Sequence, residues 1–245
     1  MATPTPILFS WSGGKDSALA LYELLRDPAW EVVGLLTSVS DEYRRISHHG
    51  IREELLDDQA AALDLPLDKL RLGTHGGPCT NEAYEKIVGG KLAEYVQRGV
   101  RHVGHGDLFL ADLRAYREQN LAKLDMTGIF PIWGRDTRQL VGTFEDAGMR
   151  AVVCCVEGAK LDSSFVGREL NREFVRDLPS EVDPCGENGE YHSFVYAGPI
   201  FTRSVAFERG AVVTRDNRHY VDLLPPAPVC TTSRPLATAA AIPPV

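Results

Sequence analysis

Apolar runs alternate with amphipathic segments along the first half of the chain. Runs typical of strands buried on both faces of a sheet occur at residues 7–9, 31–38, 67–72, 100–106 and 128–133. Apolar residues with helical spacing lie between them, at residues 18–25, 51–63, 80–99 and 110–124. Strands that alternate with helices predict parallel β-α-β units with right-handed crossovers. We therefore predict an α/β domain with a five-stranded parallel sheet over residues 1–134.

The pattern changes after Trp133. Helical spacing continues at residues 137–147 and 166–178, with a strand-like run at 150–156 between them. Short strand-like runs separated by turn residues follow, at residues 191–196, 204–207, 211–214 and 219–223. This pattern predicts a smaller α+β domain over residues 135–224, ending in antiparallel hairpins. Residues 225–245 are rich in proline, alanine and threonine, which predicts a disordered tail.

The first strand leads into the first helix through Ser10-Trp11-Ser12-Gly13-Gly14-Lys15-Asp16-Ser17. Two glycines let a ligand approach the backbone closely, and the first turn of a helix offers unpaired N–H groups to an anion. Lys15 adds a positive charge, and the serines add hydroxyl donors. The spacing is not that of a Walker A loop. The segment nevertheless predicts a phosphate site, formed by Ser10, Ser12, Gly13, Gly14, Lys15, Asp16 and Ser17.

Ligands of open parallel sheets bind beyond the carboxyl ends of the strands. Polar residues stand at these ends, namely Thr37 and Ser38, the loop from Gly73 to Cys79, and Gly106 with Asp107. We expect them to converge with the glycine loop on one crevice, where Thr37 and Ser38 border an adenosine. Asp16 and Asp107 are candidate ligands of a magnesium ion. The alternative is that each carboxylate favours the start of a helix.

Basic residues near the predicted crevice allow two interpretations. Arg114 and Arg117 are three residues apart on one helix and share a face. They either clamp a substrate anion or face solvent. In the same way, His48, His49 and Arg52 either contact phosphates or belong to an ordinary polar loop.

A turn-rich segment, Gly186-Glu187-Asn188-Gly189-Glu190-Tyr191-His192, forms the second candidate site. Its two carboxylates suit a cationic substrate, and His192 is a candidate general base near neutral pH. Trp133 and Tyr191 are candidates for cation–π contact with a cationic group such as a quaternary ammonium, worth about 0.5–2 kcal/mol. Because Asn-Gly is also a common hairpin turn, a plain surface turn is the alternative. The candidate substrate-binding residues are Trp133, Arg135, Glu187, Asn188, Glu190 and Tyr191.

Composition limits the partners that we expect. The net charge of −8 does not favour nucleic acid as a partner. No apolar run approaches the roughly 18 residues of a membrane helix, and the N-terminus resembles no secretion signal. We therefore expect a cytoplasmic protein without a membrane partner. Five cysteines without a C-x-x-C pair indicate reduced thiols rather than a zinc site or disulfides.

Four motifs together resemble those of the diphthine–ammonia ligase family. The segment SGGKDS resembles the loop of the PP-loop ATP pyrophosphatases, which cleave ATP between its α- and β-phosphates. The other motifs are His105-Gly106-Asp107-Leu108-Phe109 with Arg114-Ala115-Tyr116-Arg117-Glu118 after it, Pro131-Ile132-Trp133 with Arg135-Asp136, and Gly186-Glu187-Asn188-Gly189-Glu190-Tyr191. The bacterial branch of the family is the most similar. Its best-known members continue the last motif as Gly-Glu-Tyr-Glu-Thr, whereas His192 and Ser193 follow Tyr191 here.

The resemblance implies a fold and a reaction. The fold is a sheet of the adenine nucleotide alpha hydrolase-like (HUP/PP-loop) type. The reaction is that of an ATP-dependent amide ligase, which adenylates the carboxylate of diphthine on elongation factor 2, releases pyrophosphate, and replaces AMP by ammonia. ATP and Mg²⁺ are implied as cofactors. In a bacterium, which lacks diphthine, the substrate would be another carboxylate.

The resemblance also assigns residues. ATP contacts fall on the phosphate-loop residues together with Thr37, Ser38, Gly106 and Asp107. The candidate catalytic residues are Lys15, Asp16, Glu187, Glu190 and His192. The hairpins after Gly198 are a candidate surface for a homodimer.

Two other functions compete with the ligase. The first is an ATP-dependent sulfur transferase acting on RNA, in which Cys79 and Cys185 form a reactive pair; the acidic net charge disfavours it. The second is a nucleotide-binding sensor that binds ATP without releasing pyrophosphate.

Overall fold

The computed structural model describes residues 3–46, 50–73 and 80–227. Its strands are β1 (Thr5–Ser10), β2 (Trp30–Ser40), β3 (Arg45–Ile46), β4 (Leu67–Leu72), β5 (His102–Gly104), β6 (Thr127–Ile129), β7 (Arg150–Glu157), β8 (Tyr191–Ala197), β9 (Glu208–Arg215) and β10 (Arg218–Leu224). Its α-helices are α1 (Lys15–Arg26), α2 (Glu53–Leu63), α3 (Asn81–Gln97), α4 (Ala111–Ala122), α5 (Thr137–Asp146) and α6 (Arg172–Asp177).

The first half folds around a parallel sheet with β1 at its centre. Strand β1 pairs with β2 on one side and β5 on the other, and β4 and β6 extend the sheet beyond them. Ile7, Leu8 and Phe9 are fully buried, as a run without polar residues requires at the centre of a covered sheet. The two-residue strand β3 adds an antiparallel pair to the end of β2. The five-stranded parallel sheet is confirmed.

The second half forms a separate antiparallel sheet in the order β8-β7-β10-β9. Strands β9 and β10 are joined by a hairpin turn at Asp216 and Asn217, which both have positive φ (47° and 61°). Two consecutive residues with positive φ are typical of a hairpin turn whose twist matches that of the flanking strands. The smaller α+β part and its antiparallel hairpin therefore agree with the prediction.

Four predicted features are wrong in extent or position. Residues 166–178 are not one helix, because the N–H groups of Gly167 and Leu170 donate to the carbonyls of Val153 and Ala151 on β7. The helix α6 begins only after Asn171, whose side chain accepts from Phe174 N. Residues 204–207 form no strand, and Arg209 and Gly210, the turn residues expected between that run and the run at 211–214, lie inside β9. Strand β6 ends at Ile129, four residues before the predicted end.

Helices cover both faces of the parallel sheet. Leu8 packs in one apolar cluster with Leu92 of α3 and Leu121 of α4. On the opposite face, Phe9 belongs to a larger cluster that includes α1, α2 and the apolar residues of the antiparallel sheet, such as Phe194. The carboxyl end of β1, and with it the glycine loop, therefore lies against β8.

Several expectations concern residues outside the described ranges. They are the contacts of His48 and His49, the loop between residues 74 and 79 with Cys79, and the tail from residue 228 onward. Within the described ranges, none of the helices has the length and apolar character needed to span a bilayer.

Candidate active site

The glycine loop enters α1 through a set of local hydrogen bonds. Gly13 adopts a φ of +76°, which favours glycine. Ser12 Oγ donates to Ser17 Oγ (3.0 Å), and Ser17 Oγ donates to the carbonyl of Gly14 (2.9 Å). The N–H groups of Asp16 and Ser17 have no partner within the helix because they lie in its first turn. The loop therefore presents backbone donors in a geometry suited to phosphate.

Residues from three parts of the chain line a cavity of about 240 Å³ at this loop. The lining residues are Ser10, Ser12, Gly14, Lys15, Asp16, Ser17, Gly106, Asp107, Leu110, Leu113, Gly186, Glu187, Tyr191, His192 and Ser193. The end of β5 approaches closely because Gly106 has no side chain: a Cβ there would lie 2.8 Å from the backbone N of Ser17. Both predicted sites thus border the same cavity.

Lys15 carries a buried positive charge in this cavity. Its Nζ lies 2.8 Å from Oδ2 of Asp16 and 4.9 Å from the centre of the Tyr191 ring. Burial, the largest single effect, lowers the pKa of Lys15, but the combined attraction of Asp16, Tyr191 and Cys185 outweighs it, so the pKa is raised. The lysine therefore stays protonated and can attract an anion at any pH near neutrality.

Glu187 lines the same cavity as Lys15. Its Oε1 accepts a hydrogen bond from the N–H of Leu108 at 2.8 Å. Burial raises the pKa of Glu187 to about 7; the Leu108 bond opposes this shift, and the negative charges of Asp16 and Asp107 add to it. A carboxyl group with this pKa can take up or release a proton near neutral pH, as a general acid or base must.

Asp107 is held by an arginine of the following helix. Its Oδ2 lies 2.7 Å from Nε of Arg117. Arg114 instead pairs with Glu118 (2.8 Å) and lies over the ring of Trp133 at 4.7 Å. The two arginines therefore do not form a common clamp.

The segment before β8 is organised by two further carboxylates. Asp183 Oδ2 accepts from the N–H groups of Cys185 and Glu187 (both 3.0 Å). Glu190 is 4% exposed, and its Oε1 accepts from Asp183 N (3.2 Å) and from the Asn188 side chain (3.0 Å). Glu190 and Asn188 thus shape the turn that carries Glu187, and neither is among the described residues that line the cavity.

Other predicted site residues lie elsewhere in the described structure. Thr37 and Ser38 are inside β2, paired with Lys69 and Leu70 of β4, because that strand continues to Ser40. Trp133 contacts Arg114, whereas Tyr191 contacts Lys15 and its hydroxyl donates to the carbonyl of Pro184 (2.6 Å). The two rings therefore do not form one cage. Arg135 pairs with Glu23 at 2.8 Å.

Two residues that the sequence analysis missed contact the loop. Ser193 Oγ accepts from the backbone N–H of Lys15 at 3.1 Å. The fully buried Gln59 of α2 donates through Nε2 to the carbonyls of Gly13 (3.0 Å) and Val195 (2.6 Å) and accepts from Trp11 Nε1 (3.1 Å). No local pattern in the sequence points to either contact, because the fold brings both residues to the loop from distant parts of the chain.

Cys185 has no exposed thiol. It is 1% exposed, its Sγ donates to the carbonyl of Thr137 (3.3 Å), and burial raises the pKa of its thiol. A persulfide carrier needs a reactive, accessible thiolate. Since its expected partner Cys79 lies outside the described residues, the structure gives no support to a sulfur-transfer pair.

Comparison with known proteins matches both halves of the chain. The family model described as diphthamide synthase N-terminal domain matches residues 6–118, and the one described as diphthamide synthase C-terminal domain matches residues 136–222. The diphthine–ammonia ligase of Bos taurus is 25% identical over 228 residues, which cover 83% of each chain. That of Homo sapiens is 24% identical over 227 residues, or 82% of each chain.

A longer relative is the diphthine–ammonia ligase of Schizosaccharomyces pombe. It is 24% identical over 221 residues, which cover 82% of this chain. The matched part is only 36% of the fission-yeast protein. The chain therefore spans about a third of that relative and most of the length of the mammalian ones.

Proposed function

Since the chain belongs to the diphthamide synthase family, we propose that it is an ATP-dependent ligase that adenylates a substrate carboxylate and then amidates it with ammonia. One observation supports the proposal above all. The glycine loop, the end of β5 and the turn before β8 each contribute polar residues to the same cavity. In this proposal the glycine loop binds the phosphates, and a proton-transfer group at the same cavity serves the same substrate.

In the first step, a carboxylate oxygen attacks the α-phosphorus of ATP and pyrophosphate leaves. Charge builds up on the departing pyrophosphate. The N–H groups at the start of α1 and the protonated Lys15 are placed to stabilise that charge, and fixed donors of this kind supply much of the catalysis in such reactions. The resulting acyl-adenylate carries AMP as its leaving group.

In the second step, ammonia attacks the acyl carbon and AMP departs. Ammonia is mostly protonated at neutral pH, so it must lose a proton before it can attack. Glu187 is suited to accept that proton because it lines the cavity and its pKa is raised to about 7. His192 lines the same cavity and is a second candidate base.

Mg²⁺ is part of the proposal. Burial is the main cause of the raised pKa of Glu187, and the negative charges of Asp16 and Asp107 add to it, so a cation beside these two aspartates would be stabilised. Within the described residues no cluster of three or more metal-ligating side chains is present. Mg²⁺ needs no such cluster, since it is usually held by one or two carboxylates and by substrate phosphates. Asp16 and Asp107 would hold the ion, and its charge would offset that of the phosphates.

The substrate that we propose is a carboxylate on a cationic group, as in diphthine on elongation factor 2, or its bacterial counterpart. The supporting observation is the negative charge of Asp16, Asp107 and Glu187 along the cavity. Such a surface attracts a cationic substrate. The proposal assigns no residue to a trimethylammonium cage.

The proposed function is tested by the products of ATP. The purified protein, incubated with ATP, ammonia and candidate carboxylates, should form AMP and pyrophosphate in equal amounts. Lys15→Met should reduce pyrophosphate release by about a hundredfold or more, because it removes the buried charge at the phosphates. Lys160→Ala, which removes an exposed lysine, serves as the control.

The other outcomes separate the rival functions. A sensor would bind ATP and release no pyrophosphate, and a sulfur transferase would lose its turnover when the thiols are alkylated. Formation of ADP instead of AMP would rule out the ligase.

A further inference from the structure

Strand β8 brings a hydroxyl group to the start of α1 from a distant part of the chain. Ser193 lies 178 residues from Lys15, yet its Oγ accepts the backbone N–H of Lys15 at 3.1 Å. The side chain is 2% exposed and lines the same cavity as the glycine loop. The N–H group of Lys15, which could otherwise bind a phosphate, is thus already hydrogen-bonded to this serine.

The hydroxyl groups around the loop differ in whether their protons already take part in a hydrogen bond. Ser12 donates its proton to Ser17, and Ser17 donates its proton to the carbonyl of Gly14. A serine hydroxyl can donate one hydrogen bond while it accepts another. Ser193 accepts from Lys15 and donates to no residue in the described part of the chain. Its proton is therefore available to a ligand in the cavity.

Neighbouring contacts fix the position of this hydroxyl. Two residues farther along β8, Val195 N donates to the carbonyl of Gly13 at 2.9 Å. The side chain of Gln59 bridges the carbonyls of Gly13 and Val195. The loop and β8 are thus also held together at Gly13 and Val195, two residues from the contact between Ser193 and Lys15.

We propose that Ser193 is a phosphate-binding residue. Its hydroxyl accepts a hydrogen bond from the N–H of Lys15 and donates one to an oxygen of the β- or γ-phosphate. The hydroxyl extends the positive end of α1 toward the anion, since a hydrogen-bonded donor is polarised by the dipole behind it. The inference rests on the proposed function, because it takes the cavity to hold the triphosphate of ATP. It adds a contact to pyrophosphate that comes from the second half of the chain.

Calorimetric binding of inorganic pyrophosphate and of AMP tests the proposal on the full chain. Ser193→Ala should bind pyrophosphate about tenfold more weakly, as expected for the loss of a hydrogen bond to a charged group. The same variant should bind AMP as the wild type does, because AMP lacks the β- and γ-phosphates. Ser193→Thr keeps the hydroxyl and should bind pyrophosphate within about threefold of the wild type.

Thr202→Ala is the matched control. The Thr202 hydroxyl donates to the carbonyl of Ala62 at 2.8 Å, so it also joins the two halves of the chain through one hydrogen bond, but it is not among the described residues that line the cavity. This variant should bind both ligands normally. If Ser193→Ala does not fold, Ser193→Cys carries the same test, because a thiol is a weak donor.

Two results would overturn the proposal. In the first, Ser193→Ala binds pyrophosphate as tightly as the wild type. In the second, it loses pyrophosphate and AMP affinity equally, which indicates a purely structural role. Because these measurements need no turnover, selective loss of pyrophosphate affinity would support the Ser193 contact even if no carboxylate were ever adenylated.

Discussion

Glu187 is the residue whose chemistry depends most on its surroundings. Burial raises its pKa from 4.5 to about 7, although the hydrogen bond from the N–H of Leu108 acts to lower it. The folded pKa lies above the unfolded one, so ionisation of this group disfavours the folded state. Its contribution to stability is complete below pH 4.5 and is lost as the pH rises through about 7. An unfavourable carboxylate in a cavity is typical of a functional group.

Glu187→Gln should change both activity and stability in a pH-dependent way. The rate of amide formation per ammonia should rise with pH up to about 7 in the wild type, as Glu187 ionises. In the variant this rise with pH should be absent, and amide formation should be slower by about a hundredfold, the usual contribution of a general base. Its free energy of unfolding should exceed that of the wild type at pH 8 but not at pH 4. Steady-state kinetics and denaturant unfolding measure the two effects.

Hydroxylamine separates the role of base from that of structure. It is a weaker base than ammonia and is already unprotonated at neutral pH, so it should restore the rate of Glu187→Gln. Glu181→Gln, at an exposed position of the same segment, is the control and should behave like the wild type. If hydroxylamine gives no rescue, Glu187 does not act as the base for ammonia.

At the level of elements, the connection from β1 to α1 depends on a contact with α2. Gly13 has a positive φ, and a Cβ at this position would lie 2.7 Å from Oε1 of Gln59. The Gln59 amide cannot easily move, since it is fully buried and holds Trp11, Gly13 and Val195 by hydrogen bonds. Gly13 therefore meets two requirements, a left-handed backbone and space for the amide.

Gly13→Ala should destabilise the protein more than an alanine placed at an open glycine. The backbone strain alone costs about 1–2 kcal/mol, and the contact with Gln59 should add about 1–3 kcal/mol, as overpacking typically does. Gly148→Ala isolates the first cost, because Gly148 has a φ of +78° and no atom within 4 Å of its Cβ position. Denaturant unfolding gives both values. Equal losses for the two variants would contradict the role of the Gln59 contact.

At the level of the whole molecule, the two sheets share one apolar core. The larger cluster joins Phe9 and Leu21 of the first half to Val153 and Phe194 of the second. Polar contacts join the halves as well. Asp222 on β10 accepts hydrogen bonds from Arg45 (2.9 Å) and from both Nε (3.0 Å) and Nη2 (2.7 Å) of Arg52, and these bonds lower the pKa of Asp222. We therefore expect the two halves to unfold together.

Asp222→Asn should lower the free energy of unfolding by about 1–2 kcal/mol, since it weakens hydrogen bonds to charged groups that are only partly buried. The three tryptophans all lie at or before residue 133 and report on the first half. Hydrogen exchange in β7 and β8 reports on the second. Both probes should show one shared transition in the variant, at a lower denaturant concentration.

Asp146→Asn is the control for this variant. Asp146 is also paired with an arginine, Arg172, but this pair is exposed and lies within the second half. Its loss should leave the transition nearly unchanged. Separate transitions for the two halves in the wild type would disprove the shared core as a source of cooperativity.

The sequence by itself determined the features that depend on local periodicity. The alternation of apolar runs and amphipathic segments predicted the parallel sheet, because each run records how its own strand is buried. The glycine loop was equally recognisable, since Ser12 to Ser17 are contiguous and the start of a helix can bind anions through its own backbone. The helix predicted at residues 166–178 failed where spacing was outweighed by hydrogen bonds to β7.

Only the tertiary structure decided which residues complete the site. Ser193 and Gln59 meet the loop across 178 and 46 residues of chain, and nothing in the local sequence of either marks that contact. The pKa of Glu187 likewise results from burial and from Asp16 and Asp107, which belong to other elements. Hydrogen bonds and charge interactions act over a few ångströms in space, whereas periodicity reports only on neighbours along the chain. The sequence therefore identified the glycine loop, and the fold supplied its remaining contacts.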